Sequence, residues 1–193
     1  RCPRCGHDFN PGKTGSVRGR RYRCPTCGHR GFVVEAIRRA GKPSLRNYAI
    51  SYYCAACDKN RNSNLYHGQG LKAPDPFDAK VFNAVARELK QLANRLPFPQ
   101  QRIPRGQETH PRLANHGYLT FADMFNERQL LNLGQLLRAV AEIDEANVRE
   151  FLLLAFSNTL KYNNMLCKYN GAHHFITDIF RTHSYSPSLR PVE

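Results

Sequence analysis

The chain has 193 residues, with 29 Lys and Arg against 15 Asp and Glu, a net charge of +14 and a pI near 9.8. That length holds one ordinary domain or two small ones. The charge favours an acidic partner, nucleic acid foremost, with an anionic membrane surface or a basic ribosomal-type surface as alternatives. No apolar run approaches the roughly 20 residues that span a bilayer. The opening Arg, Cys and Pro are not a signal peptide, and with no initiator Met the chain reads as a segment of a longer protein.

The chain opens "RCPRCGHDF" and soon repeats itself as "RYRCPTCGHRG". Six of its seven cysteines form three Cys-x-x-Cys pairs: Cys2/Cys5, Cys24/Cys27 and Cys54/Cys57. Without a secretory context this pairing points to metal ligation in a reducing, cytoplasmic compartment. Cys167 stands alone in an apolar helical pattern and reads as a buried small hydrophobe.

A Cys-x-x-Cys turn aims two sulfurs at one point, and the Gly that follows permits the tight backbone. Two such turns joined by a hairpin complete the tetrahedron that zinc prefers. About 18 residues separate Cys5 from Cys24, within the zinc-ribbon range. Cys2, Cys5, Cys24 and Cys27 are therefore the expected Zn2+ ligands. Cys54 and Cys57 are further candidate ligands, about 26 residues beyond Cys27. They could replace the first pair as partners of Cys24/Cys27, form a second site with His67, His29 or another donor, or stand as a half-site. His7 and His29 follow their knuckles and are expected to hydrogen-bond a thiolate or solvent. The metal is expected to be a staple, because this stretch is too poor in apolar residues for a core of its own. A structural zinc supplies folding free energy of order 10 kcal/mol or more.

Between the first two knuckles lies "KTGSVRGRRYR", where a zinc ribbon places a hairpin or loop. Asp8 and Glu35 are the only acids from Arg1 to Arg46. Arg18, Arg20, Arg21, Arg23, Arg30, Arg38 and Arg39, with Tyr22 among them, are the expected nucleic-acid contacts. Arginine on a rigid ribbon suits phosphate, and such binding is salt-sensitive. The alternatives are a solvated surface or a face docked on an acidic partner domain. "GFVVEAI" and "NYAISYYC" both read as strands, the second running into the third knuckle.

Residues 58–75 are Asn-, Gly- and Lys-rich and read as a loop, giving a zinc-ribbon region over 1–72 and a helical domain over 73–193. Phe77, Val81, Val85 and Leu89, widened by Phe82 and Leu92, predict an amphipathic helix from about Pro76 to before Pro97. "PFPQQRIPRGQETHPRLANHGYLT" reads as a long extended connection, and "NHGYLTFADMF" within and after it as a turn with aromatic packing. Asn126 and Gln129 form a capping-box pattern ahead of "ERQLLNLGQLLRAVAEI". A second helix is expected over about Asn147–Cys167, antiparallel to the first. Asn163, Asn164 and Asn170 read as capping and turn residues rather than base readers. His173, His174, Asp178 and His183 cluster in sequence, but no second carboxylate group supports a metal or hydrolytic site there. GxSxG, P-loop and HExxH motifs are absent. The tail "RTHSYSPSLRPVE" reads as extended. By count of elements the expected fold class is α+β: small zinc ribbon with short strands, then a mainly α-helical domain.

Several longer phrases carry a resemblance: "YAISYYC", "HGYLTFADMFNERQLLNLGQLLRAV", "LLLAFSNTLKYNNMLCKYN" and "THSYSPSLRPVE". Together they resemble the central region of the zinc-ribbon-containing adenine-specific DNA methylases of the DUF1156 type. The resemblance spans nearly the whole chain. It implies S-adenosylmethionine as methyl donor, the exocyclic amine of adenine in DNA as acceptor, and a split Rossmann-like catalytic domain into which this segment is inserted. That family's Gly-rich cofactor motif and Asp-Pro-Pro-Tyr motif do not occur here. "APDPF" at Ala73–Phe77 lacks the second adjacent proline and the tyrosine, so no catalytic residue is assigned. The expectation is a DNA-contacting insert; the rival is an interaction module that docks on another subunit of a restriction or phage-defence system. A hydrolase using the C-terminal His/Asp group is the remaining alternative.

Overall fold

The computed structural model describes residues 1–10, 15–42, 45–60, 62–106, 110–171, 173–181 and 185–187. The fold is α+β, with small antiparallel sheets and several helices. The first sheet joins β1 (Val17–Arg18), β2 (Arg21–Arg23) and β3 (Arg30–Phe32) in that order, antiparallel throughout. Gly19, at φ +58°, occupies the left-handed region that a two-residue hairpin turn requires. The hairpin expected between the two knuckles is thus present.

The strand expected over "GFVVEAI" stops at Phe32, and α1 (Val33–Ala40) follows directly. Val33 and Ile37 lie one turn apart, and Ile37 is buried. Glu35 in the first turn and Arg38 and Arg39 in the last complement the helix dipole. Gly41, at φ +82°, ends the helix by returning its N–H to the Ile37 carbonyl. Helical spacing and end signals outweigh the β-preference of Phe-Val-Val.

The second expected strand is β4 (Ile50–Tyr53), paired antiparallel with β5 (Gln69–Lys72). A short α2 (Ala55–Lys59) precedes and enters the segment expected to be a loop, which itself holds a 3-10 turn at Tyr66–Gly68 and β5. Gly70 explains how so weak a sequence forms a strand. It stands opposite Tyr52, whose ring occupies its side-chain space: a Cβ there would sit 2.6 Å from the phenol.

Helix α3 (Pro76–Leu92) begins as expected, at a reciprocal Asp75–Asp78 capping box with Pro76 at its start. Lys72 bridges both carboxylates at 2.8 and 2.9 Å. After the short α4 (His110–Ala114), α5 (Glu127–Ala141) starts at the predicted Asn126–Gln129 box. It runs alongside α3 in the same direction, with Arg128 over the Phe82 ring and Gln135 donating to Glu88 at 3.0 Å. Helix α6 (Ala146–Leu160) packs on α5 across a short polar connection.

Helix α6 ends at Leu160, earlier than the apolar pattern predicts. The buried Asn164 amide donates to the Leu160 and Lys161 carbonyls at 2.8 and 3.3 Å, and its oxygen accepts from the Leu166 N–H at 2.9 Å. Asn163 also donates to the Thr159 carbonyl at 2.9 Å, so both asparagines fill the capping role expected of them. A final hairpin follows, β6 (Lys168–Asn170) with β7 (Phe175–Thr177). Cys167 is fully buried, as its setting predicts, and burial raises its thiol pKa.

The main cluster of buried apolar residues is Ile103, Leu113, Tyr118, Met124, Leu166 and Ile179, with Phe121, Phe125 and Tyr185 against it. Six of these nine lie in residues 97–125, the stretch read as an extended connection and then a turn with aromatic packing. An Arg102–Thr120 bridge, α4 and a 3-10 helix at Phe121–Met124 fold that stretch onto itself. The end of α1 is tied to this cluster. Arg38 donates to Asn115 at 2.9 Å, and Lys42 donates to the Asp123 carbonyl at 2.7 Å beneath the Tyr118 ring. Most of the expected tail, including His183, lies outside the described residues.

Candidate metal centre and arginine face

The two N-terminal knuckles fold alike because they are spelled alike. In the first, Cys2 N–H donates to the His7 carbonyl at 2.9 Å and Gly6 N–H to the Cys2 carbonyl at 2.9 Å. In the second, Cys24 N–H donates to His29 at 2.8 Å and Gly28 N–H to Cys24 at 3.1 Å. Gly6 and Gly28 take φ +71° and +70°, a region open to glycine at little cost.

These turns bring Cys2, Cys5, Cys24 and Cys27 together, their sulfurs all within 4.8 Å of one another. Cys2 and Cys27 are 3.7 Å apart, as are Cys5 and Cys24. A regular tetrahedron with zinc–sulfur bonds of about 2.3 Å has sulfur–sulfur edges of about 3.8 Å. Donor type, number and spacing thus all fit a zinc ion. Cys2 and Cys24 are buried, Cys27 is half-buried and Cys5 faces solvent.

The Cys24 and Cys5 thiols hold their protons unequally. The backbone amides of Cys27 and Thr26 pull Cys24 down to about 6 against the effect of burial. The His7 amide also pulls on Cys5, but burial and the three neighbouring sulfurs drive that thiol up to about 12. A divalent cation would replace the shared protons and favour all four thiolates.

The rings of His7 and His29 complete an aromatic row. His7 stacks on Phe9 at 6.4 Å, Phe9 meets Tyr22 at 6.2 Å, and Tyr22 meets His29 edge-on at 6.0 Å. Tyr22 is buried, and its ring lies over Gly31, the residue opposite it in register. Only a residue without a side chain leaves that space open.

With Tyr22 turned inward, its neighbours in β2 turn outward. Register places Arg18 opposite Arg21, Arg23 opposite Arg30, and Phe32 opposite Arg21. Facing residues of an antiparallel pair share a side, so Arg18, Arg21, Arg23, Arg30 and Phe32 occupy one face. Arg21 lies over the exposed Phe32 ring at 5.2 Å. Among the described residues, none of these four arginines is joined to an acid. Like charges set directly opposite destabilise a sheet, so this face carries unrelieved positive charge. Of the other candidates, Arg20 lies in the hairpin turn and Arg39 is exposed on α1. Arg38 is engaged with Asn115. Phe32 and Asn115 are not among the residues expected from the sequence; the alternation Arg-Tyr-Arg signals the face, whereas nothing local marks Asn115.

Cys54 and Cys57 stand apart from the four-sulfur cluster, so they do not replace Cys2/Cys5 beside Cys24/Cys27. Their sulfurs are 2.9 Å from each other. His174 accepts or donates at Nδ1 to the Tyr169 hydroxyl at 3.0 Å and stacks on Tyr66, His173 stacks on Phe175, and Asp178 accepts from the Phe180 N–H. The four cysteines are the only such metal-ligating cluster among the described residues. No helix among the described residues is long and apolar enough to cross a membrane. No family model, no curated protein and no solved structure matches this chain.

Proposed function

We propose that this chain is a zinc-stapled, DNA-contacting insert of an S-adenosylmethionine-dependent, adenine-specific DNA methyltransferase. The arginine face carries the DNA-contacting part of this reading: four guanidinium groups on one side of a short sheet, two facing pairs among them, with no acidic partner among the described residues. Guanidinium forks match phosphate oxygens and form short, charge-assisted hydrogen bonds. Phosphates lying across the pairs would turn their mutual repulsion into binding free energy. Zinc at Cys2, Cys5, Cys24 and Cys27 would hold this face rigid, and the sequence resemblance supplies the methyltransferase context.

The chain takes no part in the chemistry under this reading, because the cofactor and Asp-Pro-Pro-Tyr motifs are missing from its sequence. S-adenosylmethionine belongs to the catalytic domain of the parent protein. That domain must draw an adenine out of the stack to methylate it, and a rigid basic clamp would hold the flanking duplex meanwhile. Fluorescence anisotropy with duplex DNA at several salt concentrations tests this reading. Wild type should bind, and Arg21→Ala/Arg23→Ala/Arg30→Ala should bind far more weakly. No binding by wild type, or equal binding by both, refutes it.

A second reading concerns the opposite end of the chain. Val148, Phe151, Leu152, Leu153 and Leu154 of α6 are all exposed, Phe151 at 73% and Leu154 at 71%. So apolar a helix surface supports docking onto the catalytic domain or a defence-system subunit. Capture of such a partner that survives high salt, and is lost in Phe151→Asp/Leu154→Asp, would support that role.

A further inference from the structure

The third cysteine pair differs from the other two in geometry. Two ligands of one zinc ion stand about 3.8 Å apart at ordinary bond lengths, as the N-terminal sulfurs nearly do. Cys54 and Cys57, at 2.9 Å, would subtend about 80° at a zinc 2.3 Å from each, against the tetrahedral 109°. Their sulfurs face each other rather than a common metal position.

The backbone around them is fixed. Cys54 N–H donates to the Gly68 carbonyl at 2.8 Å, Asp58 N–H to the Cys54 carbonyl at 3.0 Å, and Cys57 N–H to the Cys54 sulfur at 3.3 Å. Gly68, at φ +67°, lies so close that a Cβ would come within 2.6 Å of the Cys54 carbonyl oxygen. Both cysteines are half-buried, and Cys57 also lines a shallow cleft of about 460 Å³, largely open to solvent, with Asp58, Ser63, Tyr66 and His67. Two thiols are thus held in contact beside an opening large enough for a small molecule.

We propose that Cys54 and Cys57 form a thiol–disulfide exchange site, and that the cleft admits a low-molecular-weight disulfide. A thiolate of the pair attacks one sulfur of the incoming disulfide. The incoming sulfur–sulfur bond breaks, and the departing thiolate takes a proton from solvent. The other cysteine gives its proton to solvent and attacks the protein-side sulfur of the mixed disulfide, expelling the second small thiolate. Two electrons leave the dithiol, which becomes a cystine, and the external disulfide becomes two thiols. The zinc-ligating thiolates are held by their metal and stay out of the exchange.

The test uses zinc-loaded protein in buffers of increasing oxidised-to-reduced glutathione ratio. Free thiols are then trapped with N-ethylmaleimide and the peptides weighed, with zinc counted in parallel. The peptide holding Cys54 and Cys57 should lose both alkylations together, while zinc per chain stays constant. Cys54→Ser and Cys57→Ser should each stop at a glutathione adduct on the remaining cysteine. Either of two wild-type results overturns the proposal: a second zinc per chain protecting these thiols, or a pair that stays fully alkylated at the most oxidising ratio.

Discussion

Replacing Arg23 with threonine should move stability and DNA binding in opposite directions. Arg23 directly faces Arg30 across the β2–β3 ladder, and Arg21 shares its face. Removing one charge of a directly opposed pair relieves about 0.2–1 kcal/mol of repulsion, and threonine suits a strand. The zinc-loaded ribbon should therefore gain that much against urea, read by the near-ultraviolet circular dichroism of its tyrosines. The gain should shrink in high salt, where exposed charges are screened. Binding should weaken. With one phosphate on each of the four arginines, the slope of log affinity against log salt is about −3.6, falling to about −2.7 in Arg23→Thr. A lost charge-assisted hydrogen bond of about 1.5 kcal/mol corresponds to roughly tenfold in affinity at low salt. A variant that is less stable than wild type, or that keeps the wild-type salt slope, would refute the reasoning.

Asn164→Ala should lower the unfolding free energy from urea titration by about 2–4 kcal/mol, because two carbonyls and one N–H lose their buried partner. Gly134→Ala should lose stability by about 1 kcal/mol, although Gly→Ala in a helix ordinarily gains that much. The new methyl would stand 3.0 Å from the Phe98 ring and 3.2 Å from Leu96; a thermal melt reads the sign. Burial alone would raise the Asp123 pKa, but hydrogen bonds from the Thr120 and Leu119 amides and the Thr120 hydroxyl outweigh it, and the folded value lies below the unfolded one. Its stabilisation is therefore complete above the unfolded value and lost as pH falls through the folded one. Acid titration of stability should show a shallower loss in Asp123→Asn than in wild type.

What could be read from the sequence was written in short, local signals. Cys-x-x-Cys-Gly-His specifies a turn by itself, and its repetition at ribbon spacing let the four sulfurs be paired before any fold was known. The Asn126–Gln129 capping box and the helix-ending asparagines are equally local. What escaped depended on partners distant in sequence. Gly70 reads as loop until Tyr52 lies opposite it. Val33 and Val34 read as strand until the buried Ile37 and the Gly41 end signal set a helical period. The residues 97–126 carry core side chains at irregular intervals, so no periodicity marks them, and their prolines suggest an open connection. The arginine face was half visible: composition showed the charge, but only the register showed which arginines stand opposite one another.

Four sulfurs gripping one metal ion would staple the ribbon and hold its arginine face in place. Elemental analysis combined with zinc-edge X-ray absorption on purified protein tests this most directly. It should find one zinc per chain with four sulfur neighbours at about 2.3 Å, and none in Cys24→Ser. Metal-free protein that keeps its ribbon protected from proteolysis, or nitrogen and oxygen neighbours in place of sulfur, would contradict it.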